Sequence, residues 1–245
     1  MERIPLLCTS FHNLNMEETL DCIERFAQEG RKAYVVPVNV DVAIKIEEDA
    51  YLREIADHAD LLLADGKPLV WISRLYKRPL KERITGSDLV PALCARCAKS
   101  GRSVFILGGK DGVAEQAKER LEAIYPGIRV AGTYAPPFGF EKSEEELARI
   151  REMISQAHPD FLIVCFGCPK QEKFIYENYR SYDAAVSICA GATVDFLAGN
   201  VKRAPKWMRE YGFEWLYRFL QEPKRLFKRY FIDDMKIVRL YFKYR

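Results

Sequence analysis

Ser103-Val-Phe-Ile-Leu107-Gly108-Gly109-Lys110-Asp111-Gly112 decides the fold class. Val104 to Leu107 are apolar without alternation, as in a strand buried on both faces. The glycine turn then opens an amphipathic helical pattern that runs to Tyr125 and stops at Pro126-Gly127, with Asp111 placed to cap it. Arg129–Gly132 resumes an extended pattern, which completes a strand–helix–strand unit. Further strand candidates lie outward on both sides: Ile4–Cys8, Ala33–Val36, Leu61–Leu63, Phe161–Phe166 and Ala185–Cys189. Helix starts are marked at Asn15, ahead of Met-Glu-Glu18, and at Ser143, ahead of Glu-Glu-Glu146, both with capping-box spacing. The pattern predicts an α/β fold, a mostly parallel sheet covered by helices on both faces.

With 245 residues, 49% of them hydrophobic, the chain can bury a full core. The charge is bipolar. Residues 201–245 hold 13 Lys+Arg against 5 Asp+Glu, whereas the first 200 residues hold 25 against 30. The basic segment also carries 12 of the 30 aromatic residues. A boundary near Gly199-Asn200 is therefore expected, with a catalytic core over 1–198 and a helical appendage over 199–245 broken at Pro205 and Pro223. After Pro223, Leu226, Phe227, Tyr230, Phe231, Met235, Val238 and Tyr241–Phe242 form an apolar stripe interleaved with Arg225, Lys228, Arg229, Lys236 and Arg239. Such a surface packs on the core or docks on anionic lipid. The N-terminus is too polar for a signal peptide, and no stretch nears the ~20 apolar residues of a spanning helix, so peripheral membrane contact is expected.

Seven cysteines in apolar segments point to reduced thiols and a cytoplasmic protein. The pairs Cys94/Cys97 and Cys165/Cys168 invite a zinc or a redox reading, but burial as small hydrophobes is favoured over both.

Three loops follow strands and should share the carboxyl edge of the sheet, where α/β proteins bind ligands. Ala64-Asp65-Gly66 places a carboxylate suited to a general base, or to a plain cap of the helix at Pro68. Gly108 and Gly109 open a helix whose amides can hold a diphosphate. Pro169 starts a helix with Gln171 and Glu172 in its first turn. His12, His58 and His158 carry no pattern. No Asp-x-Asp occurs, so leaving-group charge falls to Arg, Lys and helix N-termini, and neither a metal nor a cofactor is expected.

Asn39, Ala64-Asp65-Gly66, Arg83-x-Thr85-Gly86-Ser87-Asp88, Leu107-Gly108-Gly109, Gly167-x-Pro169-x-Gln171-Glu172, Gly191-Ala-x-x-Asp195, Gly199, Arg203-Ala-Pro205-x-Trp207, Glu214-Trp-x-x-Arg218 and Glu222-Pro-x-Arg225 form an ordered set over nearly the whole chain. It resembles the WecG/TagA/CpsF glycosyltransferases, glycosyltransferase family 26. The resemblance implies a Rossmann-like core with a membrane-targeting appendage that helps complete the active site. It further implies an inverting, metal-independent transferase at the cytoplasmic face of a bacterial membrane. The donor is a UDP-sugar, often UDP-N-acetylmannosamine or its uronic acid, and the acceptor a polyprenyl-diphosphate-linked sugar. Products enter teichoic acid, enterobacterial common antigen, capsule or exopolysaccharide.

By the same resemblance Asp65 is the base, and Asn39 and Arg83 place substrate and phosphate. Gln171 contacts the donor, Asp195 the nucleoside, and Tyr134 flanks the uracil. Arg218, Arg225 and Arg229 approach the diphosphates or lipid. One departure stands out: the family usually has Thr two residues before the Asn, whereas this chain reads Pro37-Val38-Asn39. The change points to another donor sugar or to a slightly different way of holding it, and weakens the case for N-acetylmannosamine. The runner-up donor is a UDP-hexose or UDP-uronic acid of exopolysaccharide assembly. A nucleic-acid-binding protein would use the basic aromatic tail but leave every cleft motif unexplained, so no nucleic-acid partner is expected. A regulator that has lost catalysis would have no need of Asp65 and Arg83. Oligomeric state stays open, a homo-oligomer included.

Overall fold

In the computed structural model, Ser103–Gly108 and Phe161–Cys165 are buried at every residue, as strands covered on both faces must be. The structure describes residues 1–245, apart from the side chains of Lys206, Glu210 and Arg225. In chain order, β1 (Arg3–Leu6), β2 (Thr9–His12), α1 (Met16–Gln28), β3 (Ala33–Val38), α2 (Val40–Glu48), α3 (Ala50–Asp57), β4 (Leu61–Ala64) and α4 (Lys67–Leu75) form the first half. Then come α5 (Gly86–Ser100), β5 (Ser103–Gly108), α6 (Val113–Ile124), β6 (Arg129–Tyr134), α7 (Glu144–Ala157), β7 (Phe161–Cys165), α8 (Lys170–Asn178), β8 (Val186–Cys189) and α9 (Thr193–Ala198). The C-terminal segment adds α10 (Lys206–Tyr211), α11 (Glu214–Gln221), α12 (Pro223–Lys228), a π-helical turn over Arg229–Asp233, and α13 (Lys236–Tyr244).

Six strands form one sheet in the order β4-β3-β8-β7-β5-β6, and every neighbouring pair is parallel. Alternate side chains feed two cores. Val35, Leu61, Leu63, Ile106 and Ile163 pack with residues of α1, α5, α6 and α9 on one face. Val36, Val38, Leu62, Leu107 and Val164 pack with α2, α3, α7 and α8 on the other. Cys94 and Cys97 lie fully buried in the first of these cores. Chain direction diverges between β5, which leads outward to β6, and β7, which leads back to β8. That divergence opens a crevice at the strands' carboxyl ends.

Three local expectations need correction. The strand expected at Ile4–Cys8 is not part of the parallel sheet. Leu7 turns the chain at φ 55°, and β1 pairs antiparallel with β2 as a separate hairpin. The hairpin covers the edge strand β4, whose Leu62 N–H donates to His12 Nδ1 at 2.9 Å, so that histidine has a structural task. Asp111 does not cap α6, because Gly112, at φ 75°, occupies the N-cap position and no side chain bonds there. Asn15, by contrast, forms the full reciprocal box with Glu18, while Ser143 accepts from Glu146 N–H only.

Pro37 sits inside β3 beyond the last pair with β8, Val35–Ile188, so its missing N–H falls where that ladder has ended. Pro205 and Pro223 do break the C-terminal segment, and Gly212, at φ 86°, breaks it again between α10 and α11. No helix among the described residues is long and apolar enough to cross a membrane.

Candidate active site

Asp65 leaves β4 at the carboxyl edge, its N–H donating to Val38 C=O at 2.8 Å. Ile84 N–H donates to Ala64 C=O at 2.9 Å, which lays the segment bearing Arg83 beside the same strand end. Asn39, the residue after β3, spends its side-chain oxygen on Val42 N–H at 3.1 Å and caps α2. Three distant stretches of sequence thus meet at one corner of the sheet. The alternative of a plain cap for Asp65 is decided by α4, whose N-cap is Gly66 with no side-chain bond. Gly66 stands at φ 151°, a backbone that side chains avoid, and this turn carries Asp65 away from the helix axis.

The Asp65 carboxyl keeps an opening to solvent while protein surrounds it on most sides. Burial pushes its pKa up to about 6. Arg83 pulls it down, Glu214 pushes it up, and the Gly86 amide and Arg218 pull it down again. A carboxylate of this kind is ionised at neutral pH yet basic enough to take a proton.

Around it lies an ion network that the sequence reading did not assign. Arg83 donates to Glu214 Oε2 at 3.2 Å and to Asp88 Oδ2 at 3.3 Å. Arg203 donates to Asp88 Oδ1 and to Ser87 C=O, both at 2.8 Å, and approaches Glu214 Oε1 at 3.6 Å. Arg209 adds a bond to Asp88 Oδ1 at 3.2 Å. Burial works against ionisation of Asp88, but Arg203, Thr85 and Arg83 outweigh it and hold its pKa below the usual value. Nε and Nη2 of Arg203 and Nε of Arg209 are buried without a hydrogen-bond partner. Among the described residues, three guanidinium groups therefore face two carboxylates, Asp88 and Glu214. Arg83, Asp88, Arg203 and Glu214 stand in motifs quoted above and Arg209 lies just beyond one, so position was largely visible in the sequence while partnership was not.

Further along the carboxyl edge, Gln171 is buried and its side-chain oxygen accepts from Gly167 N–H at 3.2 Å and Gly191 N–H at 2.9 Å. It ties the loop after β7 to the loop after β8. Its Nε2 donates to Glu172 Oε1 at 2.9 Å, and burial raises the Glu172 pKa. Gly108 passes so close to β7 that a Cβ would lie 2.8 Å from the Cys165 carbonyl, and Gly109 would meet Val194 at 3.1 Å. These two glycines let the loop after β5 close on its neighbours.

Asp195 stands in the first turn of α9. Tyr134 ends β6, its hydroxyl bonded to Glu146 and its ring covered by Arg149 at 5.3 Å. From Asp65 on β4 to Tyr134 on β6 is five strand intervals, roughly 24 Å at the usual spacing. The candidate residues are thus spread along the carboxyl edge of the sheet, with the carboxylate at one end and Gly108, Gly109, Asp195 and Tyr134 toward the other.

Of the three appendage arginines, Arg218 lies over the Phe196 ring at 5.8 Å and acts on Asp65. Arg229 approaches Asp41, on the first turn of α2, at 3.8 Å. The Arg225 side chain lies outside the described residues.

Residues 4–245 match the profile of the glycosyl transferase WecG/TagA/CpsF family. Among curated relatives, N-acetylglucosaminyldiphosphoundecaprenol N-acetyl-beta-D-mannosaminyltransferase of Bacillus spizizenii (strain W23) is 32% identical over 200 residues, covering 82% of this chain and 76% of the relative. The protein of the same name from Bacillus subtilis (strain 168) is 31% identical over 214 residues, covering 87% and 81%. With the family profile spanning nearly the whole chain and two relatives above 30% identity covered over most of their length, the chain belongs to the WecG/TagA/CpsF family and is a glycosyltransferase.

Proposed function

We propose that this enzyme moves an N-acetylmannosamine-type sugar from UDP to a polyprenyl-diphosphate-linked N-acetylglucosamine, with inversion and without a metal, in assembly of a cell-surface polymer such as teichoic acid. The observation that carries the reading is Asp65, half-buried at the strand edge with Arg83 and Arg218 beside it. The names of the relatives supply the acceptor class and the transferred sugar.

In the proposed step the Asp65 carboxylate accepts the proton of the acceptor hydroxyl. The freed oxygen pair forms a bond to the anomeric carbon from the face opposite UDP. The carbon–oxygen bond to the β-phosphate breaks, and UDP leaves with that electron pair. Arg83, with Arg203 and Arg209 behind it, meets the charge that develops on the diphosphate. Asn39 places substrate beside Asp65, Asp195 and Tyr134 hold the nucleoside end, and Gln171 keeps the donor-side loops in register. Residues 199–245 act as an appendage that brings the site to the inner membrane surface, and Arg218, Arg225 and Arg229 contact phosphate there.

The test is a panel of UDP-sugars with a lipid-diphosphate N-acetylglucosamine acceptor, read by UDP release. Turnover by Asp65→Asn should fall by about 10²–10⁴-fold with UDP binding retained. Turnover should persist in excess EDTA, since the sequence lacks Asp-x-Asp. Wild-type turnover by folded Asp65→Asn, or full loss in EDTA restored by Mg²⁺ or Mn²⁺, would defeat the mechanism. Pro37 in place of the family's Thr leaves room for a second reading, with another donor such as a UDP-hexose or UDP-uronic acid, which the same panel decides.

A further inference from the structure

The appendage is studded with exposed apolar side chains, among them Trp207, Tyr211, Phe227, Ile232, Met235 and Phe242. The core adds to this surface at one place. Trp71 and Leu75, one helical turn apart on α4, are 50% and 64% exposed. At the start of α4, Gly212 of the α10–α11 turn comes so near that a Cβ there would lie 3.0 Å from Lys67 Cγ and 3.6 Å from Trp71 Cζ2. At its end, Tyr76 stacks on Tyr241 of α13 with ring centroids 5.4 Å apart, and its hydroxyl donates to Tyr241 C=O at 2.7 Å. The exposed side of α4 is thus framed by both ends of the appendage. It continues the apolar surface of Tyr211 on one side and of Phe242 on the other.

Charge singles out the same segment. The first 200 residues are acidic overall, yet residues 67–81 hold Lys67, Arg74, Lys77, Arg78 and Lys81 with no Asp or Glu. Exposed Trp and Leu interleaved with cations fit an anionic lipid surface, where the ring sits at the headgroup boundary and the cations meet phosphate. Lys81 is paired with Glu18 at 2.7 Å, and a protein partner that covered Trp71 would have to answer the remaining cations, Lys67, Arg74, Lys77 and Arg78.

We infer that α4 is a membrane-contacting helix of the catalytic core, with Trp71 and Leu75 entering the interface of an anionic bilayer and Arg74, Lys77 and Arg78 at its phosphates. This deepens the proposed function and rests on it, since a lipid-linked acceptor requires the site to meet a bilayer. The consequence is positional. α4 begins two residues after Asp65 and is nine residues long, about 13 Å, so its contact holds the base within a helix length of the acceptor diphosphate.

The full chain carrying Trp207→Phe and Trp215→Phe keeps Trp71 as its one tryptophan and retains aromatic rings at both changed sites. Vesicles of phosphatidylglycerol and phosphatidylcholine with brominated acyl chains should quench Trp71 fluorescence, whereas phosphatidylcholine alone should quench it far less. Separately, Trp71→Ser with Leu75→Ser should lower vesicle partition by about ten-fold at an unchanged thermal midpoint. A chain that sediments with the vesicles while Trp71 stays unquenched overturns the inference and leaves appendage docking intact. A Trp71 shielded by doubling of the mass in solution overturns it in favour of a second copy of the chain. No sedimentation with vesicles of either composition defeats the membrane reading itself.

Discussion

An ionised Asp65 is poorly solvated where it stands, and the same burial that suits it to the proposed role of base weakens the fold. Its folded pKa, about 6, lies above the ordinary 3.8, so its contribution to stability is full below pH 4 and is lost as pH rises through 6. Discounted for its opening to solvent, the cost at neutral pH is on the order of 1–2 kcal/mol. Asp65→Asn should therefore melt a few degrees higher than wild type while losing turnover, a divergence visible in paired calorimetry and UDP-release assays. An unchanged or lower midpoint would mean that the carboxylate is held by better partners than those around it here. The acid limb of kcat/KM should fall near pH 6 and vanish from the residual activity of the variant. At this scale the sequence shows where a residue stands but not what it touches. Asp65 could be placed at a strand end from the apolar run before it and the glycine after it, but its freedom from capping depends on the Gly66 turn. Gln171 could be placed in a helix's first turn, yet the two backbone amides it joins lie in loops 24 residues apart.

Between elements, Asp88 is the point where core and C-terminal segment are joined, since it takes bonds from Arg83 before α5 and from Arg203 and Arg209 beyond α9. Asp88→Asn leaves these guanidinium groups poorly compensated and should cost about 2–3 kcal/mol, somewhat below the range for a fully buried pair. The loss should appear as faster proteolysis between Gly199 and Pro205 than within the core, and as a raised KM for donor through Arg83. Glu214→Gln tests the other arm. Removing that negative charge lets Arg83 dominate Asp65, so the acid limb should move to lower pH even where the fold is intact. The hairpin is a second joint. Burial and then Arg3 lower the His12 pKa to about 4, below its ordinary 6.5, so the stability it contributes is full above pH 6.5 and is lost as pH falls toward 4. His12→Ala should flatten that part of the pH–stability curve. Alternating apolar runs and helices were enough to infer the sheet, because strands buried on both faces leave a strong compositional mark. Strand order left none; the hairpin's first strand, read as Ile4–Cys8, looked like one more piece of the sheet, and its second, Thr9–His12, went unread.

Taken whole, the molecule is a dipole of charge. Net −5 over the first 200 residues and +8 over the last 45 draw the two parts together, but α11 has no fully buried residue, and Leu226 and Leu240 are the buried apolar anchors of the helices after Pro223. Contact between the parts therefore leans on ion pairs, Arg83–Glu214, Arg203–Asp88, Lys236–Glu48 and Lys243–Glu47 among them, which salt weakens. A chain ended after Gly199 should remain folded, since both cores of the sheet are built from earlier elements apart from Leu240, and it should lose vesicle binding together with transfer to the lipid acceptor. Arg218 separates the two losses. Its guanidinium lies over Phe196 and acts on Asp65, whereas the proposed attraction of the whole segment to anionic lipid would be a sum of about 1 kcal/mol per basic residue near the surface. Arg218→Lys keeps that sum and removes the planar fork. Turnover should therefore drop ten-fold or more while vesicle partition changes less than two-fold. Equal losses in both assays would reduce Arg218 to membrane charge, and no loss in either would leave the site complete without it.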